Sequence, residues 1–227
     1  MVGAPLTEVA GLIGADPAPH RAAARRIHEA MIGAQWVAKW QRFCAWDMRR
    51  DRREPERTIV SFGPLLDPDL PPAIVSALCR ELESPSFHPR REGLHYLVPT
   101  CDEQAADFDP DRYRRGPIWL NTNWLLWHGL RQHGQHALAE EIVASSVELV
   151  RRSGFREYFD PMDGTGRGSA RFSWTRRSSP TWCFPVAGRA TWRRRANVGG
   201  NCQSPSTRPR STLRCRQAHH GRSASAS

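Results

Sequence analysis

The chain has 227 residues, enough for one large domain or two small ones and for a buried core. Its formal charge of +10 suggests a polyanion binder only until that charge is located: Arg176 to Ser227 holds 11 Arg and no Asp, Glu or Lys, leaving 22 basic against 23 acidic residues in Met1 to Thr175. The body is nearly neutral, so the basicity is a property of the tail.

In chain order, Leu6 to Gly14 predicts a short helix. Pro17 to Val37 predicts a longer one, since Ala22, Ala23, Ile27, Ala30, Met31 and Ala34 recur at helical spacing and His20 to Arg26 give a polar face. From Trp40 to Pro64 the periodicity fails, and aromatics mixed with a charged hinge predict an extended loop or hairpin that covers something. Pro71 to Leu82 predicts a helix opened by two prolines, with Ile74, Val75, Leu78 and Leu82 inward. Phe87 to Tyr113 is a long irregular stretch of the kind that commonly carries function. Pro117 then opens a helix whose Ile118, Trp119, Leu125, Leu126 and Leu130 leave little polar face. An amphipathic partner over His136 to Ser153 carries Leu138, Ile142, Val143, Val147, Leu149 and Val150, and Gly134 and Gly154 stand where helix ends favour a left-handed residue. This alternation predicts stacked helical hairpins with their long loops gathered on one face.

The first twenty residues lack a basic n-region and a long apolar run, so the sequence predicts neither export nor a membrane span. Cys44, Cys79 and Cys101 are widely spaced in the body, which suits reduced thiols in a cytoplasmic protein. No carboxylate or Cys at fixed spacing completes a metal ligand set around His128, His133 and His136, and the tail's Cys202, Cys215, His219 and His220 lack the close pairing of a zinc module. The glycines of Gly164 to Gly168 lack the Lys-Ser/Thr and the preceding strand of a phosphate loop, and predict a tight turn.

Two long motifs carry more. YRRGPIWLNTNWLLWHGL at Tyr113 to Leu130, followed by GFREYFDPMDGTGRGSARFSWT at Gly154 to Thr175, resembles the mannosylglycerate and glucosylglycerate hydrolase branch of glycoside hydrolase family 63. There a Y-W-R-G-P-V/I-W loop precedes an inner helix, a G-F-x-E-Y-F-D-P-x-T/D-G segment ends the next hairpin, and an F-S-W-T-A-A helix closes the ring. The resemblance runs from about Phe43 to Thr175. It implies an all-α fold, a partial (α/α)6 toroid of helical hairpins with long loops over residues 1–175, and a small α-glucosyl or α-mannosyl substrate cleaved with inversion and without a cofactor. It makes Glu157 the general base. Such a base takes a proton from water on the ring face opposite the leaving group, with an acid carboxyl roughly 6.5 to 9.5 Å away. Partial burial between Tyr158 and Phe159 is expected to raise its basicity. Tyr113, Arg115 and Trp119 match positions lining the sugar subsite, where an indole stacks on a pyranose and Arg or Tyr bonds hydroxyls or a carboxylate, and Trp174 is expected to close the same pocket. Arg115 also admits a plainer reading, as a structural carboxylate clamp, and Trp124 and Trp127 read as core.

Two departures qualify the resemblance. Arg114 stands where the family usually has Trp. The family's acid, an aspartate in the earlier half of the toroid, has no counterpart motif in this chain, because Asp47, Asp102 and Asp109 do not lie in one. The chain alone is therefore expected to be weakly active or inactive, with an upstream fragment as a complementing partner. The other readings are a non-catalytic sugar-binding remnant and an Arg-rich nucleic-acid-binding protein.

The tail, residues 176–227, reads RRSSPTWCFPVAGRATWRRR where the family continues a helix. Moving the frame back by one base, with CGN for Arg and TCN for Ser, turns Arg176 and Arg177 into NCG, which includes Ala. Ser178 and Ser179 become NTC, which encodes only Phe, Leu, Ile or Val, and Thr175 to Pro185 can be restored as T-A-A-L-V-P-D-L-V-L-P. The alternative is a genuine disordered Arg-rich tail, binding nucleic acid only non-specifically through its charge.

Overall fold

A computed structural model describes residues 3–88 and 96–175. The expectations for residues 176–227, including disorder and a shifted frame, lie outside the described residues.

Among the described residues five α-helices carry the fold: α1 (Gly3–Leu12), α2 (Ala18–Gln35), α3 (Pro72–Leu82), α4 (Leu120–Gln132) and α5 (His136–Ser153). Three two-stranded antiparallel hairpins join them, β1/β2 (Trp36–Val37, Arg42–Phe43), β3/β4 (Ala45–Asp47, Arg52–Glu54) and β5/β6 (Arg156–Phe159, Gly166–Ala170). The described residues are thus helix-rich. Among them no helix is long and apolar enough to cross a membrane.

The α4/α5 hairpin is the centre of the core. Leu120, Asn123, Leu126, Trp127 and Leu130 are buried on one face of α4, the i, i+3, i+4, i+7 stripe of a packed helix. Leu138, Ala139, Ile142, Val143 and Leu149 answer from α5. Asn123 is wholly buried among them and fully used: its amide donates to Leu97 O at 2.6 Å and Ser146 Oγ at 3.1 Å, and its oxygen accepts from Val98 N at 3.2 Å. The turn between the helices is made at Gly134, with φ +73°, and α5 ends on Gly154, with φ +74°, as their positions predict.

Three expectations change. Residues Ile59–Leu66 form a 3₁₀-helix rather than a loop, and it lies directly on α4. A Cβ at Gly129 would stand 2.8 Å from the Leu65 Cβ and carbonyl oxygen, so glycine is what allows that approach. The fourth helix begins at Leu120 instead of Pro117, because the main chain of Ile118 is extended and bridges both Pro99 and Phe159. Leu125, read as inward, is 41 % exposed, since it lies off the stripe that runs through Leu126 and Leu130.

Helix α3 also packs on the 3₁₀-helix, with Ile74, Val75, Leu78 and Leu82 buried as expected. Arg57 binds this layer together, donating to Glu81 Oε1 at 2.6 Å and Asp102 Oδ2 at 2.7 Å. By contrast α2 has no buried residue. Met31 and Ile32 pack against the core, but Ile27, Ala30 and Ala34 of its apolar stripe are exposed.

Candidate active site

Gly154 ends α5 and turns the chain into strand β5, so Glu157 sits in a strand four residues beyond the helix. Strand alternation sends Phe159 into the core, where it is fully buried. Ile118 N donates to Phe159 O at 2.8 Å, and Phe159 N donates to Ile118 O at 3.0 Å. This two-way exchange joins the two long sequence motifs side by side.

The Tyr113 loop is shaped by its own main chain. Asp109 N donates to Arg115 O at 2.9 Å, Arg115 N to Arg112 O at 2.8 Å, and Asp111 N to the Asp109 carboxylate at 2.9 Å. Arg167 on β6 ties the loop to the hairpin, pairing with Asp111 and, at 2.8 Å, with Asp160.

Within this frame Tyr113 Oη donates to Glu157 Oε1 at 2.6 Å, and Ser169 N donates to Glu157 Oε2 at 3.0 Å. Trp119 Nε1 donates to the Tyr113 carbonyl at 3.1 Å. The Trp119 and Tyr158 rings stack with centroids 5.4 Å apart, and Tyr113 meets Trp119 edge-on at 4.7 Å. Gly168, at φ +65°, lets the hairpin close over the carboxylate, since a Cβ there would lie 2.6 Å from Glu157 Oε2.

The electrostatics reverse one expectation. The Tyr113 hydroxyl first, and then the Ser169 N–H, hold the Glu157 carboxyl below the usual carboxylate range, and these bonds outweigh the opposing effect of burial. Glu157 is therefore a carboxylate at neutral pH but a weaker base than partial burial alone would make it. The same bond pushes the Tyr113 phenol upward from its ordinary value.

A cavity of ≈ 500 Å³ adjoins this cluster, with Trp119 and Trp174 among its walls and Arg114, Asn121 and Thr58 as polar lining. Of the residues singled out in the sequence, Tyr113, Trp119 and Glu157 form one bonded cluster, and Trp174 lies on the cavity that Trp119 shares. Arg115 is engaged elsewhere, gripping Glu56 at 2.7 and 3.2 Å and Asp107 at 3.2 Å. Tyr158 and Asn121 were not singled out. Tyr158 was readable from its place beside Glu157, whereas Asn121 carries no signal beyond opening α4.

The model for the mannosylglycerate hydrolase MGH1-like glycoside hydrolase domain matches residues 4–175. The mannosylglycerate hydrolase of Thermus thermophilus is 34% identical over 154 residues, 68% of this chain and 36% of that protein. That of Rubrobacter radiotolerans is 36% identical over 172 residues, 75% of this chain and 38% of that protein. The glucosylglycerate hydrolase of Mycolicibacterium hassiacum is 30% identical over 125 residues, 55% of this chain and 28% of that protein. A crystal structure of a Thermus thermophilus mannosylglycerate hydrolase of glycoside hydrolase family 63, in complex with glucose, superposes with a TM-score of 0.69 at 31% identity, over 81% of this chain and 44% of that one. The chain belongs to this glycoside hydrolase family. It spans well under half the length of the curated relatives it matches.

Proposed function

We propose that the chain forms the base-side half of an inverting glycosidase site for a small α-mannosyl or α-glucosyl substrate such as mannosylglycerate or glucosylglycerate, in a partial (α/α)6 toroid. The observation that supports this most is the Tyr113–Glu157 hydrogen bond beside the Trp119 wall of the cavity. In this reading Glu157 takes a proton from the attacking water, Tyr113 orients it, and Trp119 and Trp174 stack on the sugar ring. Arg115 supports the Tyr113 loop through Glu56 and Asp107, and would reach substrate only by giving up those pairs.

In this reading the general acid is supplied by a segment outside this chain, which alone turns over weakly or not at all. A ligand-holding role without turnover, in which the Trp119 and Trp174 cavity keeps the sugar while the acid is missing, is the second reading. A cytoplasmic setting suits Cys44, Cys79 and Cys101, which are buried free thiols.

The test is release of glycerate from both glycerate glycosides by the purified chain, alone and mixed with a polypeptide covering the remaining part of the Thermus thermophilus relative, with the anomer followed by NMR. Turnover with inversion only in the mixture, abolished by Glu157→Gln, is expected. Turnover indifferent to Glu157→Gln would remove the base assignment.

A further inference from the structure

Two neighbouring arginines follow Tyr113, and the structure treats them oppositely. Arg115 is held in a fork by Glu56 and paired again with Asp107, so its charge is matched within the protein. Arg114 makes no ion pair among the described residues; its guanidinium lies 5.9 Å over the Tyr113 ring, and the side chain lines the cavity shared by Trp119 and Trp174. No carboxylate is among the described residues lining that cavity. The amide of Asn121, also on its wall, has no hydrogen-bond partner among the described residues.

A cavity with two indole walls, one uncommitted cation and one uncommitted amide suits an anionic ligand with an apolar face. A guanidinium set against aromatic rings is a good carboxylate receptor, because its planar fork can bond both oxygens while the ring keeps it oriented. We infer that Arg114 is the specificity-determining residue of this cavity: it selects glycosides whose aglycone carries a carboxylate over neutral ones, with Asn121 bonding a hydroxyl beside it. This rests on the cavity being the sugar site proposed above. It moves anion recognition from Arg115, the arginine the resemblance points to, onto its neighbour.

The experiment is calorimetric titration of the full chain with mannosylglycerate and with mannosylglycerol, the same glycoside lacking the carboxylate, at physiological salt. Arg114→Gln is compared with the wild type, and Arg152→Gln, an exposed arginine of α5, serves as a control that leaves the tail's charge in place. The charged glycoside should bind about tenfold more tightly than the neutral one, as befits a charge-assisted hydrogen bond. That preference should vanish in Arg114→Gln and persist in Arg152→Gln. Equal binding of the two glycosides, or a preference that survives Arg114→Gln, would overturn the role of Arg114 while the sugar site stood. Failure of both glycosides to bind would overturn the sugar site and this inference with it.

Discussion

Ile118 and Phe159 exchange both of their main-chain hydrogen bonds, 41 residues apart in sequence. That pairing sets Tyr113, five residues before Ile118, within reach of Glu157, two before Phe159, and it lays Trp119 along Tyr158. Because Phe159 is fully buried, the hairpin that carries the carboxylate is fixed by the core.

Tyr113→Phe removes the largest influence holding the Glu157 carboxyl down. Its pKa should rise toward the ordinary glutamate value, about 4.3. A depressed carboxylate stabilises the fold above its unfolded pKa and loses that contribution as pH falls through the folded one, so acid stability should be less steep in the variant. Carboxyl NMR titration reads the shift directly, and an unmoved Glu157 would show that the phenol does not hold it.

Substituting Gly168 tests the close approach over the carboxylate. Alanine there meets both an unfavourable φ of +65° and Glu157 Oε2 at 2.6 Å. Gly168→Ala should lose about 1 kcal/mol or more of stability and displace Glu157 from Tyr113. Urea unfolding and the Glu157 titration report the two effects separately; wild-type values in both would show that the turn has room to spare.

Asn123→Leu should be costly although the side chains are similar in size. It strands Leu97 O and Val98 N, which the amide satisfies at 2.6 and 3.2 Å in a buried setting. A loss of about 2–4 kcal/mol follows from two unpaired buried main-chain groups. Chemical denaturation measures it, and a change below about 0.5 kcal/mol, typical of a surface site, would contradict this account.

Burial pushes the thiols of Cys79 and Cys101 up to about 11. At about pH 8, below the ordinary thiol value, alkylation of these two should be slow in the native protein and fast after unfolding, as peptide mass spectrometry can follow. A native thiol pKa above the unfolded one makes stability fall as pH rises from the ordinary thiol value toward about 11. Alkylation at equal rates in both states would indicate that the α3 layer opens readily.

Helices α3 and α5 were legible because their apolar residues keep one face over several turns, and α5 occupies His136–Ser153 as read. The start of α4 was not, since Pro117 is a fair opening signal and only the distant Phe159 draws Ile118 into an extended conformation. The 3₁₀-helix at Ile59–Leu66 was hidden by Gly63 and Pro64, which locally signal a break. At the site, motif order pointed to Tyr113, Trp119 and Glu157, which the fold brings into one bonded cluster. What it could not reveal was which of two adjacent arginines faces the cavity, because Glu56, 59 residues before Arg115, settles that choice.

Helix α2 buries none of its 18 residues completely, so little apolar surface is re-exposed when it comes loose. Its amides should exchange with solvent well before those of α4 and α5, through openings that cost only part of the global unfolding free energy. Of the described helices, a brief protease digestion would accordingly cut α2 before α4 or α5, leaving the β5/β6 hairpin and its acidic side chain in place.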